Sequence, residues 1–260
     1  MSTYSNSMFD SIKTALSDAN NKGAGGLYRE IMKLTPGNTY VVRLLPNVKD
    51  PKKTFFHYYT HAWESFATGN YTAEVSPQTW GERDPIGEYR LSISKHGTEE
   101  EKEKAKALTR REQWLINVYV VKDPENPENE GKVKILRFGK QLHKIIMEAI
   151  EGDDADEFGE RIFDLTESGC NLRIKVEEQG GFPTYVSSRF ASPSKITGVD
   201  ADSVGTIYDQ VYDLENVFPV KSYEELETML NEHYYGAQDK PSTETSSKIE
   251  DDDDDDISFD

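Results

Sequence analysis

The sequence predicts a mainly β body, all-β or α+β and barrel-like, with helices inserted between its strands. Three observations carry that prediction. Runs of β-branched and aromatic residues recur, as in TYVVRLLP (39–46), TFFHYYT (54–60) and WLINVYVVK (114–122), and such residues suit a pleated, half-buried surface. Helical signals are fewer and fall between these runs, each marked by a cap or an apolar stripe. With 35% hydrophobic residues, 14 Tyr, 11 Phe and 3 Trp in 260 positions, the chain has enough apolar material for a sizeable core.

Residues 1–21 are polar and read as an N-terminal arm in which Phe9, Ile12 and Leu16 are spaced as in a short helix. The NNKGAGG run (20–26) is a joint, so the core is assigned to 22–238. Strands follow at 39–46 and 54–60. Residues 61–94, rich in Gly, Pro and Trp without a clean period, read as loops with short strands. Thr98 to Glu101 has the spacing of a capping box, which opens a helix over the Lys- and Ala-rich EEEKEKAKAL. The strand 114–122 turns through DPENPENEG, whose Pro124, Pro127 and Gly131 break strands, and returns as KVKILRF (132–138). KQLHKIIMEAI (140–150) carries Leu142, Ile145, Ile146, Ala149 and Ile150 on one helical side. CNLRIKV (170–176) is a further strand, GGFPTYVSSRF (180–190) a glycine-led turn and extension, and Ser222 to Glu225 caps a last helix ending near His233. Beyond Gln238 the composition is Lys, Pro, Ser, Thr and acid, too polar to fold, and 239–260 is read as a disordered acidic tail.

Catalysis finds no foothold, and no catalytic residue is assigned. Cys170 opens a strand with no His near it in sequence, as a buried, inert thiol would. One Cys and five scattered His do not make a structural zinc set, and His57 and His61, four apart, lie in an aromatic strand. Neither a phosphate-binding loop nor a dinucleotide fingerprint is present, so no cofactor and no metal are expected. No stretch approaches the ~18 apolar residues of a membrane span, and the first residues lack a secretory pattern. The single cysteine fits a reducing compartment, so a cytoplasmic protein with no membrane partner is expected.

Binding has a better case. The net charge is −18, but Lys95 to Lys144 holds twelve cations against nine acids. Alternation in CNLRIKV places Arg173 and Lys175 opposite Leu172, Ile174 and Val176, and KVKILRF sets Lys132 and Lys134 on the face of Leu136 and Phe138. Trp114 follows Arg110 and Arg111 closely. Cations interleaved with rings suit a single strand of nucleic acid, since cations neutralise phosphates and rings stack on bases. An ordinary solvated sheet face over core aromatics explains the same pattern, and residue types alone do not separate the two.

The segment VYVVKDPENPENEGKVKILRFGKQLHKIIMEAI (118–150) resembles the central strand, turn, strand and helix of the T-even phage helix-destabilising proteins, the replication single-stranded DNA-binding (ssDNA-binding) family. The match runs through Val121 to Pro124, Pro127 to Lys132 and Arg137 to Lys140. VVRLLP (41–46), GCNLRIKVEEQGGFPTYVSSRF (169–190) and SYEELE (222–227) resemble further parts of that family in order. The resemblance implies an OB-fold core binding ssDNA in a basic cleft. It also implies an arm for self-association along DNA and an acidic tail contacting replication and recombination proteins, such as a polymerase, a helicase loader or a recombinase mediator, in the cytoplasm of an infected host. By motif match it implies DNA contacts at Arg43, Arg110, Arg111, Trp114, Arg137, Lys140, Phe182, Tyr185 and Arg189, to which the alternation adds Lys132, Lys134, Phe138, Arg173 and Lys175.

Three departures from the family pattern stand out. Where the family has a zinc ribbon with CxxC, this chain reads DPIG (84–87), so 61–94 is expected to be a zinc-less ribbon-like insert held by Trp63, Trp80 and Tyr89. The arm has Lys13 as its one cation up to residue 21, against the family's basic cluster. TRREQW (109–114) lacks the tyrosine that the family places before that tryptophan. The tail, with Asp251, Asp252, Asp253, Asp254, Asp255 and Asp256 before Ile257 and Phe259, is expected to occupy the cleft as a phosphate mimic and then to offer its apolar tip to partners. An RNA-binding OB-fold protein, a nuclease and an acidic DNA mimic are the rival readings.

Overall fold

In the computed structural model, residues 26–235 are described; the arm (1–21) and the acidic tail (239–260) lie outside the described residues. Thr39–Leu45 (β1), Phe55–Glu64 (β2), Tyr71–Val75 (β3), Arg111–Lys122 (β4), Val133–Phe138 (β5), Leu172–Lys175 (β6) and Arg189–Phe190 (β9) form one antiparallel sheet. Its order is β3-β2-β4-β1-β6-β9, with β5 on the other edge of β4. Glu177–Gln179 (β7) and Phe182–Thr184 (β8) make a separate hairpin.

β4 organises the sheet because three strands pair with its two edges. Its first half pairs β2, from Thr60↔Arg111 to Phe55↔Ile116. Its second half pairs β1 on that same edge, and β5 runs along the opposite edge from Tyr119↔Val133 to Trp114↔Phe138. Both faces of β4 are covered. Trp114, Ile116, Val118 and Val120 pack with Tyr40, Val42, Leu44, Leu136 and Leu172 beneath the helix Lys140–Glu151. Leu115 and Tyr119 face the other way, into separate apolar clusters. That double burial is why β4 reads as a nearly continuous apolar run and not as an alternating one.

The helices, in chain order, are Pro85–His96 (α1), Glu99–Ala105 (α2), Lys140–Glu151 (α3), Ala201–Asp209 (α4) and Tyr223–Leu230 (α5). The capping boxes at Thr98 and Ser222 form as expected. Two helices escape the sequence reading. In α1 only Pro85 and Ile86 are buried, so no apolar stripe marks it; Asp84 starts it by accepting from the Ile86 and Gly87 N–H groups, with Pro85 preset at the first position. α4 opens with a reciprocal Asp200–Ser203 cap that lacks the usual Glu or Gln.

The stretch 61–94 is thus mostly regular: the end of β2, then β3, a short 3-10 turn and the first turns of α1. Trp63 is buried with Ile86, Leu108, Leu226 and Tyr234, and Tyr89 borders that cluster. Trp80 does not join them. It is 39% exposed and leans on Phe56, which corrects the expected trio.

Candidate nucleic-acid interface

The structure separates the predicted DNA contacts into buried and surface groups. Arg43 is completely buried. Its Nε donates to Asn171 Oδ1 at 2.9 Å and its terminal nitrogens to the carbonyls of Asp164, Thr166 and Ser194. A guanidinium so enclosed, with four of its N–H groups bonded inside the fold, is out of reach of phosphate, and desolvation lowers its pKa. Arg43 is a fold residue, and its assignment as a DNA contact is withdrawn.

Trp114 and Phe138 are also corrected. They form a cross-strand pair on the covered face of β4 and β5, 8% and 4% exposed. Trp114 shares its face of β4 with Ile116, Val118 and Val120, and that face is the one the helix Lys140–Glu151 covers, so Trp114 falls on the core-facing side. Its indole is held between His57 at 5.0 Å and His143 at 4.0 Å, centroid to centroid. Lys134 is drawn in by the same alternation and pairs with Glu30 at 2.7 Å, its side chain 15% exposed. Lys132 is exposed but sits at the hairpin turn, ~20 Å along the strand from Phe138.

The remaining candidates lie on linked surface elements. Arg110 stacks over Tyr59 at 4.3 Å, and Tyr59 meets His57 edge-on at 4.9 Å. Arg111 reaches the hydroxyl of Tyr71, a ring 67% exposed. Glu112 Oε1 lies 2.8 Å from His57 Nε2, and its Oε2 lies 3.4 Å from Lys140 Nζ at the start of α3. Next to Lys140, Gln141 Oε1 accepts the Tyr185 N–H at 2.8 Å, which fixes the segment after the β7–β8 hairpin. Phe182, in that hairpin, is 75% exposed.

Arg137 is exposed at the end of β5. Burial raises the pKa of the phenols of Tyr58 and Tyr185, and Arg137 is near enough to both to oppose the rise. Farther along, Ser188 Oγ accepts the Lys175 N–H at 3.0 Å, and Arg189 stands directly opposite Arg173 across β9 and β6. Two like charges in register are unfavourable unless an anion joins them. Lys175 is half-exposed and paired with Glu177 at 2.7 Å.

These contacts join Arg110, Tyr59, His57, Glu112 and Lys140 into a rim of cations and ring faces that is tied through Gln141 to Tyr185, while Arg173 and Arg189 stand in register on β6 and β9. The rim is suited to a backbone of phosphates with unpaired bases beside it. From the sequence Tyr59, Tyr71 and His143 carry no reading, and His57 and Trp80 are weighed only as a metal ligand and as a packing ring. Alternation in TFFHYYT does separate His57 and Tyr59 from Phe56 and Tyr58, but only the pairing of β2 with β4 shows which pair meets the rim.

Among the described residues no group of three or more His, Cys, Asp or Glu is placed to hold a metal ion. At DPIG, Asp84 instead accepts from Ser76 Oγ and lies 2.6 Å from His61 Nε2, while His61 Nδ1 lies 3.0 Å from the Leu108 carbonyl. Both ring nitrogens thus face oxygen acceptors, and that donor set does not fit zinc. Cys170 is buried, and burial raises its thiol pKa. No helix among the described residues is long and apolar enough to cross a membrane.

Residues 37–233 match the family model described as gp32 DNA binding protein like. Two relatives named single-stranded DNA-binding protein, from Enterobacteria phage T4 and Enterobacteria phage T2, are each 33% identical over 201 residues. The alignment covers 74% of this chain and 64% of each relative, so the chain spans less than two thirds of their length. The matched span takes in every strand and α-helix among the described residues, and the chain belongs to the gp32-like DNA-binding protein family.

Proposed function

We propose that this chain is a sequence-tolerant ssDNA-binding protein of phage DNA replication, recombination and repair, acting by binding and not by catalysis. The observation that carries the reading is the placing of exposed cations beside ring faces: Arg110 stacks over Tyr59, Lys140 starts the helix whose Gln141 holds Tyr185, Arg173 stands opposite Arg189, and Arg137 and Phe182 are exposed. Family membership supports DNA as the ligand. The strand pairing of β4 with β1, β2 and β5 supports an OB-fold core within 22–238, and the His61–Asp84 pair supports an insert over 61–94 that needs no zinc. In this reading the acidic residues 251–256 with Ile257 and Phe259 recruit replication and recombination proteins, and self-association along DNA involves residues 1–21. The site of action is the cytoplasm of the infected host.

Competition tests the ligand class. Labelled oligo-dT bound to the full chain should be displaced by unlabelled ssDNA at far lower concentration than by RNA of matched sequence or by duplex. Displacement by RNA at the same or lower concentration would turn the reading toward an RNA-binding protein.

A further inference from the structure

Resting on that reading of the rim, we infer that Glu112 is an affinity-setting residue, a carboxylate that competes with DNA phosphate for Lys140 and His57. Glu112 lies directly opposite Tyr59 in the β2–β4 pairing, two residues from Trp114 on the same face. It is an anion set among Arg110, Lys140 and the two imidazoles that flank Trp114. Its oxygens are divided between the two cation-capable groups, 2.8 Å from His57 Nε2 and 3.4 Å from Lys140 Nζ. These are the groups that a phosphate arriving at the rim would contact.

Among the described residues Glu112 caps no helix, and its side-chain polar partners are His57 and Lys140; the Lys140 side chain is 78% exposed and that of Glu112 27%. A pair whose lysine is this exposed is weak, so a phosphate displaces the carboxylate instead of being barred by it. Displacement leaves Glu112 beside the incoming phosphate without its partners, and like charges at that distance repel. The residue therefore lowers ssDNA affinity without closing the site, and holds Lys140 toward the strand edge while DNA is absent.

The test is a tryptophan-fluorescence titration with oligo-dT of the full chain and its Glu112→Gln, Lys140→Ala and doubly substituted forms. Glu112→Gln should tighten binding roughly two- to five-fold at ~50 mM salt, with a smaller gain at ~200 mM. In the Lys140→Ala background the gain should fall below about half of its single-variant size, because the main contested cation is gone. Unchanged or weaker binding by Glu112→Gln overturns the inference, as does a gain that persists in full without Lys140. If the parent protein binds oligo-dT and Glu112→Gln behaves identically, only this inference falls. A parent protein that fails to bind at ~50 mM salt removes the ssDNA reading and this inference with it.

Discussion

Asp84 shows how one side chain can hold two elements together. Burial raises its pKa, but hydrogen bonds from His61, Ser76 and the Gly87 N–H outweigh that, and the net shift is downward from 3.8. A carboxylate with a depressed folded-state pKa stabilises the fold above its unfolded pKa, and that contribution is lost as pH falls through the folded value. Asp84→Ala removes the α1 cap and leaves His61 and Ser76 without their buried partner, which should cost about 3 kcal/mol in urea denaturation. Asp84→Asn should show a shallower loss of stability below about pH 4 than the parent, since it has no carboxylate to protonate there. Chelator should leave the melting temperature unchanged, because His61 and Asp84 are held by each other, Ser76 and the Leu108 carbonyl and need no metal to join them. Arg43 belongs to the same scale. Arg43→Ala strips donors from Asn171 and three carbonyls and should cost about 3 kcal/mol. In the protein that remains folded, the salt dependence of DNA binding should be that of the parent; a slope reduced by about one phosphate contact would restore Arg43 to the interface.

At the scale of elements, hairpin, strand end and helix start divide the work of the rim. Phe182→Ala and Tyr185→Ala remove ring faces and should weaken ssDNA binding by ~1–3 kcal/mol each while leaving the salt slope in place. In the proposed interface Arg137 meets a phosphate, so Arg137→Ala should flatten the slope by about 0.7. Identical behaviour of the three variants would show that rings and cations are not separate there. Trp114→Ala should act mainly on stability, by ~3–5 kcal/mol, because the indole is core. Much of this layer was legible in the sequence. β1, β4, β5, α3 and α5 follow from their periods and caps, and Arg173 and Lys175 point outward as alternation requires. Register was not legible. Whether Lys134 or Arg137 faces outward depends on which side of β5 meets α3, and Arg43 on which loop covers β1. Short-range pattern holds neither fact. α1 was missed because a helix lying on the surface with two buried residues leaves no stripe to read.

Across the whole molecule the charge is divided. Residues 239–260 hold ten acids against two lysines, while the rim gathers cations from β4, β5, β6, α3 and the hairpin. In the phosphate-mimic reading, a polyanionic stretch on the same chain competes with DNA for such a rim at a high effective concentration. Deleting 239–260 should therefore speed ssDNA binding and aid duplex opening, with the largest gain in low salt. Replacing Ile257 and Phe259 by Ser should leave DNA binding alone and weaken partner recruitment. Truncation without effect between ~50 and 200 mM salt would leave the tail no role at the rim. The central claim is that the rim binds ssDNA through several phosphates and stacked bases, whatever the sequence. Its most direct test is titration of the full chain with oligo-dT and a mixed-sequence ssDNA at several salt concentrations, followed by tryptophan fluorescence. The account predicts saturable binding of both, with log affinity falling linearly against log salt by about 0.7 per phosphate contacted, for several phosphates. Absence of binding at ~50 mM salt, or binding with no dependence on salt, would contradict it.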